Sequence, residues 1–227
     1  MNYGDKNTLG DGNNFGNDNN FGNANTFGND NTFGNRNTLG YWNTLGDDNK
    51  LGHANTFGDG NTLGRRNKLG DGSTLGNNNK LGNGNTLGDG NKLGNKNTLG
   101  DDNTLGDGNT LGNKNTLGDD NTLGDGNTLG NGFKFGQRLT MEGVKVLALI
   151  TMANIDGSGR QITVIVHTNG TLIRAGCFKG SLSEFCEKAK DEGKTRYAKV
   201  VRAAAEALAE DVREKGITGG WEEKVTD

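Results

Sequence analysis

Apolar residues recur at every sixth position along the first part of the chain and are scarce between. From Asn7 to Gly132 the sequence runs as 21 consecutive hexads of the form Asn-Thr-Leu-Gly-x-x, each with Leu or Phe third and Gly fourth. The first position is Asn in all but one, where Ser73 stands. A period of six is too short for a helix pair and too regular for disorder, so it predicts one side of a coiled β-structure. Within Asn-Thr-Leu, successive side chains point to opposite faces of a strand. Leu must be inside, so Asn is inside with it, and Thr or an occasional Lys faces water. Gly and the two variable residues, mostly Asn, Asp and Gly, make a corner, with Gly supplying backbone freedom. Stacked Asn side chains are expected to hydrogen-bond up the column as an amide ladder. Tyr3, Phe15, Phe21, Phe27 and Phe33 stand in for Leu, so the first coils should be wider or packed differently.

A longer period lies over the short one. Residues 91–108 and 109–126 differ only at Lys92 against Thr110. Eighteen residues are three hexads, so three sides close each coil and the prediction is a triangular prism. Residues 1–138 then make about 7.7 coils, a rod some ~37 Å long at about 4.8 Å per coil. Leu or Phe from each side fills its narrow interior, contributing roughly 1.5–3 kcal/mol per side chain.

The unit Leu9-Gly10-Asp11-Gly12-Asn13, with its successors, resembles the hexapeptide-repeat left-handed parallel β-helix family. That repeat carries an aliphatic residue, then often Gly, then a small residue four positions after the aliphatic. Here Asn13 and its equivalents stand where the family usually has Ser, Thr, Ala or Val. The resemblance covers residues 1–138 and implies the fold rather than an activity. The left hand is implied by it alone, because crossovers between parallel strands are otherwise nearly always right-handed. The four-sided pentapeptide-repeat helix is the alternative, and its period of five disagrees with the unbroken sixes.

From Leu139 the pattern changes, which divides the chain into a β-helix of residues 1–138 and an α+β module of residues 139–227. Val144 to Met152 reads as a buried strand, Asp156-Gly157-Ser158-Gly159 as a turn, and Gln161 to Thr168 as a second strand. Asn169-Gly170 is a hairpin signal into a third, Thr171 to Cys177. Ser181-Leu182-Ser183-Glu184 is a capping box that opens a helix to about Glu192, with Gly193 as its stop. Thr195 is read as the cap of a longer helix to about Lys215, with Tyr197, Val200, Val201, Ala204, Leu208 and Val212 on one stripe. The expected order is β-β-β-α-α. The run Ile173 to Gly180, followed by Ser181 to Phe185, is faintly similar to small domains of phage and prophage proteins of unknown role. An open β-helix end exposes unpaired backbone and apolar core, so the module is expected to cover that end or to pair two chains as a homodimer.

Composition sharpens this outline. With 41 Gly, no Pro and 30% hydrophobic residues, the chain has the bulk content of a disordered one. Its polar residues nevertheless keep fixed phases, as disordered tracts do not. Net charge is −3, with 15 acids against 12 bases in residues 1–138 and 13 of each beyond. Neither part is basic enough for direct nucleic-acid binding. No apolar run spans a membrane and residues 1–30 lack a signal-peptide core, so a soluble cytoplasmic protein is expected. Cys177 and Cys186 are then expected to be reduced, partly buried thiols.

Candidate chemistry is sparse, and neither a cofactor nor a metal is expected. β-Helix acyltransferases use a catalytic His in a cleft, whereas His53 falls at a corner, His167 inside a strand, and no insertion interrupts the hexads. Enzyme activity is therefore not expected. The corners carry the information. Asp101-Asp102 stacks on Asp119-Asp120, with Asp47-Asp48 further down the same edge, interrupted by Arg65-Arg66. Asp in a turn ordinarily accepts backbone hydrogen bonds, and the sharper readings are a cation ladder or an acidic stripe imitating a nucleic-acid backbone. Tyr41-Trp42 is the one aromatic corner, and exposed Trp and Tyr mark interface hot spots. Trp42 beside Asp47, Asp48, Arg65 and Arg66 is the expected contact patch for a protein partner, with packing against the module or a sister chain as the alternative. Trp221 is a second anchor or a residue that folds back onto the sheet. The outward Thr columns leave ice binding as an alternative, with Lys50, Lys68, Lys80 and Lys92 interrupting them. The reading is a recognition protein, in its narrowest form a phage-encoded inhibitor of a host defence or nucleic-acid-handling protein.

Overall fold

The structure, a computed structural model, describes residues 1–153, 155 and 161–221. The chain forms two compact units, Met1–Gly136 and Gln137–Asp227. The expected turn at Asp156-Gly157-Ser158-Gly159 and the tail after Trp221 lie outside the described residues.

The first unit is a three-sided parallel β-solenoid. Each strand is a two-residue pair such as Thr62–Leu63, in register with the pair 18 residues before it, Thr44–Leu45, and 18 after, Lys80–Leu81. Two faces have seven strands each, one from Thr8–Leu9 to Thr116–Leu117, the other from Asn20–Phe21 to Thr128–Leu129. The third carries Thr32–Phe33 through Thr122–Leu123. From Phe21 to Leu129 the third-position Leu and Phe are buried, and so is the Asn column beside them. Thr and Lys face out. In the first coils the aromatics close on one another, Tyr3 stacked on Phe21 at 4.5 Å and Phe15 edge-on to Phe27 at 5.6 Å.

A backbone account of one hexad, Asn61–Arg66, explains its polar residues. The Thr62 and Gly64 N–H groups donate back to the Asn43 and Leu45 carbonyls, and Arg66 N–H donates forward to Asn83. Leu63 pairs with Leu81 in the sheet. Asn61 and Arg65 N–H groups would be left over, and side chains take them: Asn79 Oδ1 accepts from Asn61 at 2.7 Å and Asp47 Oδ1 from Arg65 at 2.7 Å. Since buried backbone groups must be paired, the first position must be an acceptor pointing down the rod and the fifth an acceptor pointing up. The expected amide ladder is therefore side chain to backbone, and Asn13 Nδ2 to Asn31 Oδ1 is a rare amide-to-amide rung. The first-position Nδ2 staples the corner instead, as in Asn37 to the Gly34 and Gly16 carbonyls at 2.9 and 3.0 Å.

The corner glycine has a different task from the one its backbone freedom suggested. Left-handed φ sits at the sixth position, from Lys6 at 57° to Arg138 at 54°, whichever residue is there. Gly64, at the fourth, is required by close approach. A Cβ on it would lie 2.2 Å from Asp47 Oδ1 and 2.8 Å from the Gly46 carbonyl carbon.

The second unit is a sheet with two helices. A hairpin turns at Glu142-Gly143, both with positive φ, joining Thr140–Met141 to Val144–Ala153. Antiparallel strands Gln161–His167, Gly170–Ala175 and Phe178–Ser181 follow. The last of these was not expected, being four residues long and containing Gly180. Helix α1, Leu182–Asp191, is opened by the Ser181 and Glu184 capping box. Helix α2 spans Thr195–Glu214, and Lys194, with no side-chain cap bond, takes the N-cap place expected of Thr195. The helices pack on Ile162, Val164 and Ile173 through Phe185, Tyr197, Ala198 and Val201. Val200, expected on the buried stripe, is exposed. Cys177 is exposed and Cys186 buried, both free. Trp221 folds back onto its own sheet, its Nε1 donating to the Val146 carbonyl at 3.1 Å. Among the described residues no helix is long and apolar enough to cross a membrane.

Candidate functional site

The fifth and sixth hexad positions stack at 18-residue intervals into three edges. At the fifth, each Asp or Asn accepts the N–H of its counterpart one coil on. Asp119 N–H donates to Asp101 Oδ1 at 2.8 Å, and Asp89 N–H to Asp71 Oδ1 at 2.9 Å. This is the ordinary role of a turn carboxylate and accounts for the Asp101 over Asp119 stack. Even His53 joins, its Nδ1 accepting from the Asp71 N–H at 3.0 Å. Among the described residues no group of three His, Cys, Asp or Glu side chains is placed to hold a metal ion.

The sixth position carries ion pairs. Arg66 grips Asp48 of the coil before through two bonds, Nε to Oδ1 at 2.8 Å and Nη2 to Oδ2 at 2.5 Å. Arg36 holds Asp18 in the same way at 2.7 Å. Hydrogen bonding to the guanidinium, then its charge against slight desolvation, holds the Asp48 and Asp18 carboxyls below their ordinary value. Arg66 therefore pairs with Asp48 at this corner, while Asp47 accepts the backbone N–H of Arg65. Asp101, Asp102, Asp119 and Asp120 lie further along that edge.

Tyr41 and Trp42 belong to another edge. Tyr41 N–H donates to Asn23 Oδ1 at 2.7 Å and Trp42 N–H to the Asp59 carbonyl at 3.1 Å. Asp47 is in register with Asn29 and Arg65. The expected single patch of Trp42 with Asp47, Asp48, Arg65 and Arg66 is thus divided between two edges, because six residues separate the corners and one full side of the prism, roughly 15 Å, intervenes. An acidic column that sequence reading passed over is Asp71, Asp89, Asp107 and Asp125, linked one coil to the next. Reading the Asp-Gly corners in steps of 18 would have found it.

The aromatic corner is the costly one. Tyrosine has no acceptor where Asp or Asn would meet Asp59 N–H, so the fifth-position ladder skips a rung and resumes with Asn77 N–H on Asp59 Oδ1. Trp42 sits at φ 57°, a conformation that costs an L residue about 1–2 kcal/mol and is rare for a bulky one. Arg65 also breaks its ladder, but Arg66 recovers an ion pair. Trp42 recovers only contact: its indole lies over Gly60, where a Cβ would be 2.6 Å from Cδ1, and Tyr41 tilts beside it at 6.0 Å. The two remain 69% and 50% exposed.

No protein-family model matches the chain, and neither a curated protein nor a solved structure matches it.

Proposed function

We propose that this is a non-enzymatic recognition protein whose rod presents Tyr41 and Trp42 to a protein partner. The supporting observation is that this corner weakens the coil twice, through a missing ladder acceptor and a left-handed Trp, and leaves both rings in water. Unrepaid local strain is a mark of functional positions. An exposed Trp on a convex edge suits a partner that brings the pocket, since small-molecule sites are themselves concave. The acidic edges add long-range complementarity to a basic partner surface. The faint similarity of residues 173–185 to phage domains supports the narrower reading, an inhibitor acting in the host cytoplasm on a defence or nucleic-acid-handling protein.

The test uses the double variant Tyr41→Asn/Trp42→Gly, which makes this corner like its neighbours. It should melt higher than the parent and fail to retain the partner that the parent captures from bacterial lysate under crosslinking. A lower melting temperature would show the aromatics to be structural, and retention of the same partner would remove them from the interface. One observation favours a second reading: Thr8, Thr26, Thr44 and Thr62 form an unbroken outward column. Thermal hysteresis, unchanged in the double variant, would identify ice binding instead.

A further inference from the structure

The strand Val144–Ala153 is paired along the whole of one edge and along little of the other. Its inner edge runs the length of Gln161–His167, while on the outer side Thr140–Met141 meets only Lys145 and Val144. The Val146 N–H still donates to the Leu139 carbonyl at 2.9 Å, and the Val146 carbonyl accepts from Trp221 Nε1 at 3.1 Å. Beyond that point the register decides which groups face out. His167 and Gly170 stand opposite each other across a two-residue turn, so they exchange backbone bonds, and the antiparallel ladder alternates from there. Ile162, Val164 and Val166 therefore bond to Met152, Ile150 and Ala148. The N–H and C=O groups of Leu149, Thr151 and Ala153 point away from the sheet, and among the described residues no further strand or backbone group meets them.

An open edge is a template for a further strand, and proteins ordinarily protect it with a charge, a proline or shortness. The far edge of the same sheet, Phe178–Ser181, is protected, being four residues long with Lys179 in it. Val146 to Ala153 has neither charge, proline nor glycine. The exposed large apolar side chains described in this unit, Ile150 and Val200, lie on that same flank. Ile150 stands opposite Val164, on the face that the helices cover, yet is 39% exposed. Helix α2 packs on this strand and Gln161–His167, and α1 on the two strands beyond. The helices meet at Ala198, whose carbonyl lies 3.9 Å from Cys186 Sγ. Val200 is about 200° further round α2, so it faces away from α1 and toward the open edge. Ala203, Ala204 and Ala207 continue that side of the helix without a charge.

We infer that this edge binds a second copy of the chain, the two Val144–Ala153 strands running antiparallel about a twofold axis at Thr151. A twofold contact needs a surface complementary to itself. In this register Thr151 meets its own copy, Leu149 stands opposite the smaller Ala153, Ile150 stands opposite Met152, and none of these residues is charged. The sheet continues across the axis, and Ile150 and Val200 leave water. The experiment is light scattering with amide exchange on the full chain across a hundredfold concentration range. The parent should reach twice the mass of one chain, its Leu149, Thr151 and Ala153 amides slowing as the mass rises. Ile150→Lys and Val200→Lys, each with parental circular dichroism, should move the association midpoint at least tenfold higher in concentration. Tyr41→Asn/Trp42→Gly should associate as the parent does. A parent of single-chain mass throughout the range overturns the proposal. So do an association that both Lys variants leave unchanged, one that the aromatic double variant abolishes, and a dimer in which the three amides exchange freely. Slow amides at single-chain mass would mean that the chain covers its own edge, which overturns it as well.

Discussion

The rod and the C-terminal unit bury opposite kinds of residue. Inside the rod a column of Asn runs beside the Leu, nearly every member fully enclosed. The core of the second unit is Ile, Val, Phe, Tyr, Ala and Cys. Its enclosed carboxylate, Glu142, is met by Arg174 at 3.4 Å and Lys179 at 3.2 Å from adjacent strands. The difference follows from geometry. A two-residue strand flanked by corners leaves two backbone N–H groups per hexad unpaired, so the solenoid must spend interior positions on acceptors. Long antiparallel strands and helices satisfy their own backbone and leave the interior to apolar packing.

The sharpest break in that comparison is expected at corner glycines. Gly70→Ala would place a Cβ 2.7 Å from the Gly52 carbonyl oxygen and 3.0 Å from the His53 nitrogen, both backbone, so it should destabilise by more than about 4 kcal/mol. Gly72→Ala meets open space at φ 64° and should lose only about 1–2 kcal/mol. Denaturant melts of the two variants decide whether coil stacking or left-handed backbone sets the requirement. Next in size is Asn61→Ala. It orphans the Asn43 N–H and removes the donor to the Gly58 carbonyl, for about 2–4 kcal/mol. That rivals Ile173→Ala in the apolar core, about 2–5 kcal/mol. If Asn61→Ala proves neutral while Ile173→Ala does not, the polar column is dispensable.

Ser181→Ala should lower the stability of the second unit by about 1 kcal/mol. Ser181 backbone and hydroxyl donors hold the Glu184 carboxyl below its ordinary value. Their contribution is complete above the unfolded carboxylate range and is lost as pH falls through the lowered folded value. The variant should therefore flatten the acid limb of the unit's stability profile. Smallest is Ser73→Asn. Ser73 Oγ reaches Asn55 N–H and the Gly70 carbonyl only at 3.2 Å each, so the regular residue should add about 0.5–1 kcal/mol. A thermal melt with no gain would mean that serine already suffices.

Much of the solenoid could be read in advance because its determinants are local in phase. Three sides, Leu and Asn inside and Thr outside all follow from the 6- and 18-residue periods. The role of the glycine did not, because Gly64 answers to an atom of Asp47, which a list of turn propensities does not contain. The aromatic corner was visible as an anomaly, but grouping it with Asp47 and Arg65 took nearness in sequence for nearness in space. In the second unit Ser181 and Glu184 announced their helix, since a cap is a four-residue event. Phe178–Ser181 was hidden, as a strand that short is defined by Leu172 to Ala175 across from it.

The strict 18-residue register also shapes how such a chain can change. Removing residues 91–108 would delete one storey and leave every remaining corner on its own edge. Removing a single hexad would rotate all that follows by a third of a turn, setting Asp columns over Lys columns. Residues 91–108 and 109–126 differ at one position, so a whole storey is the unit by which this architecture can lengthen or shorten while its edges stay in phase.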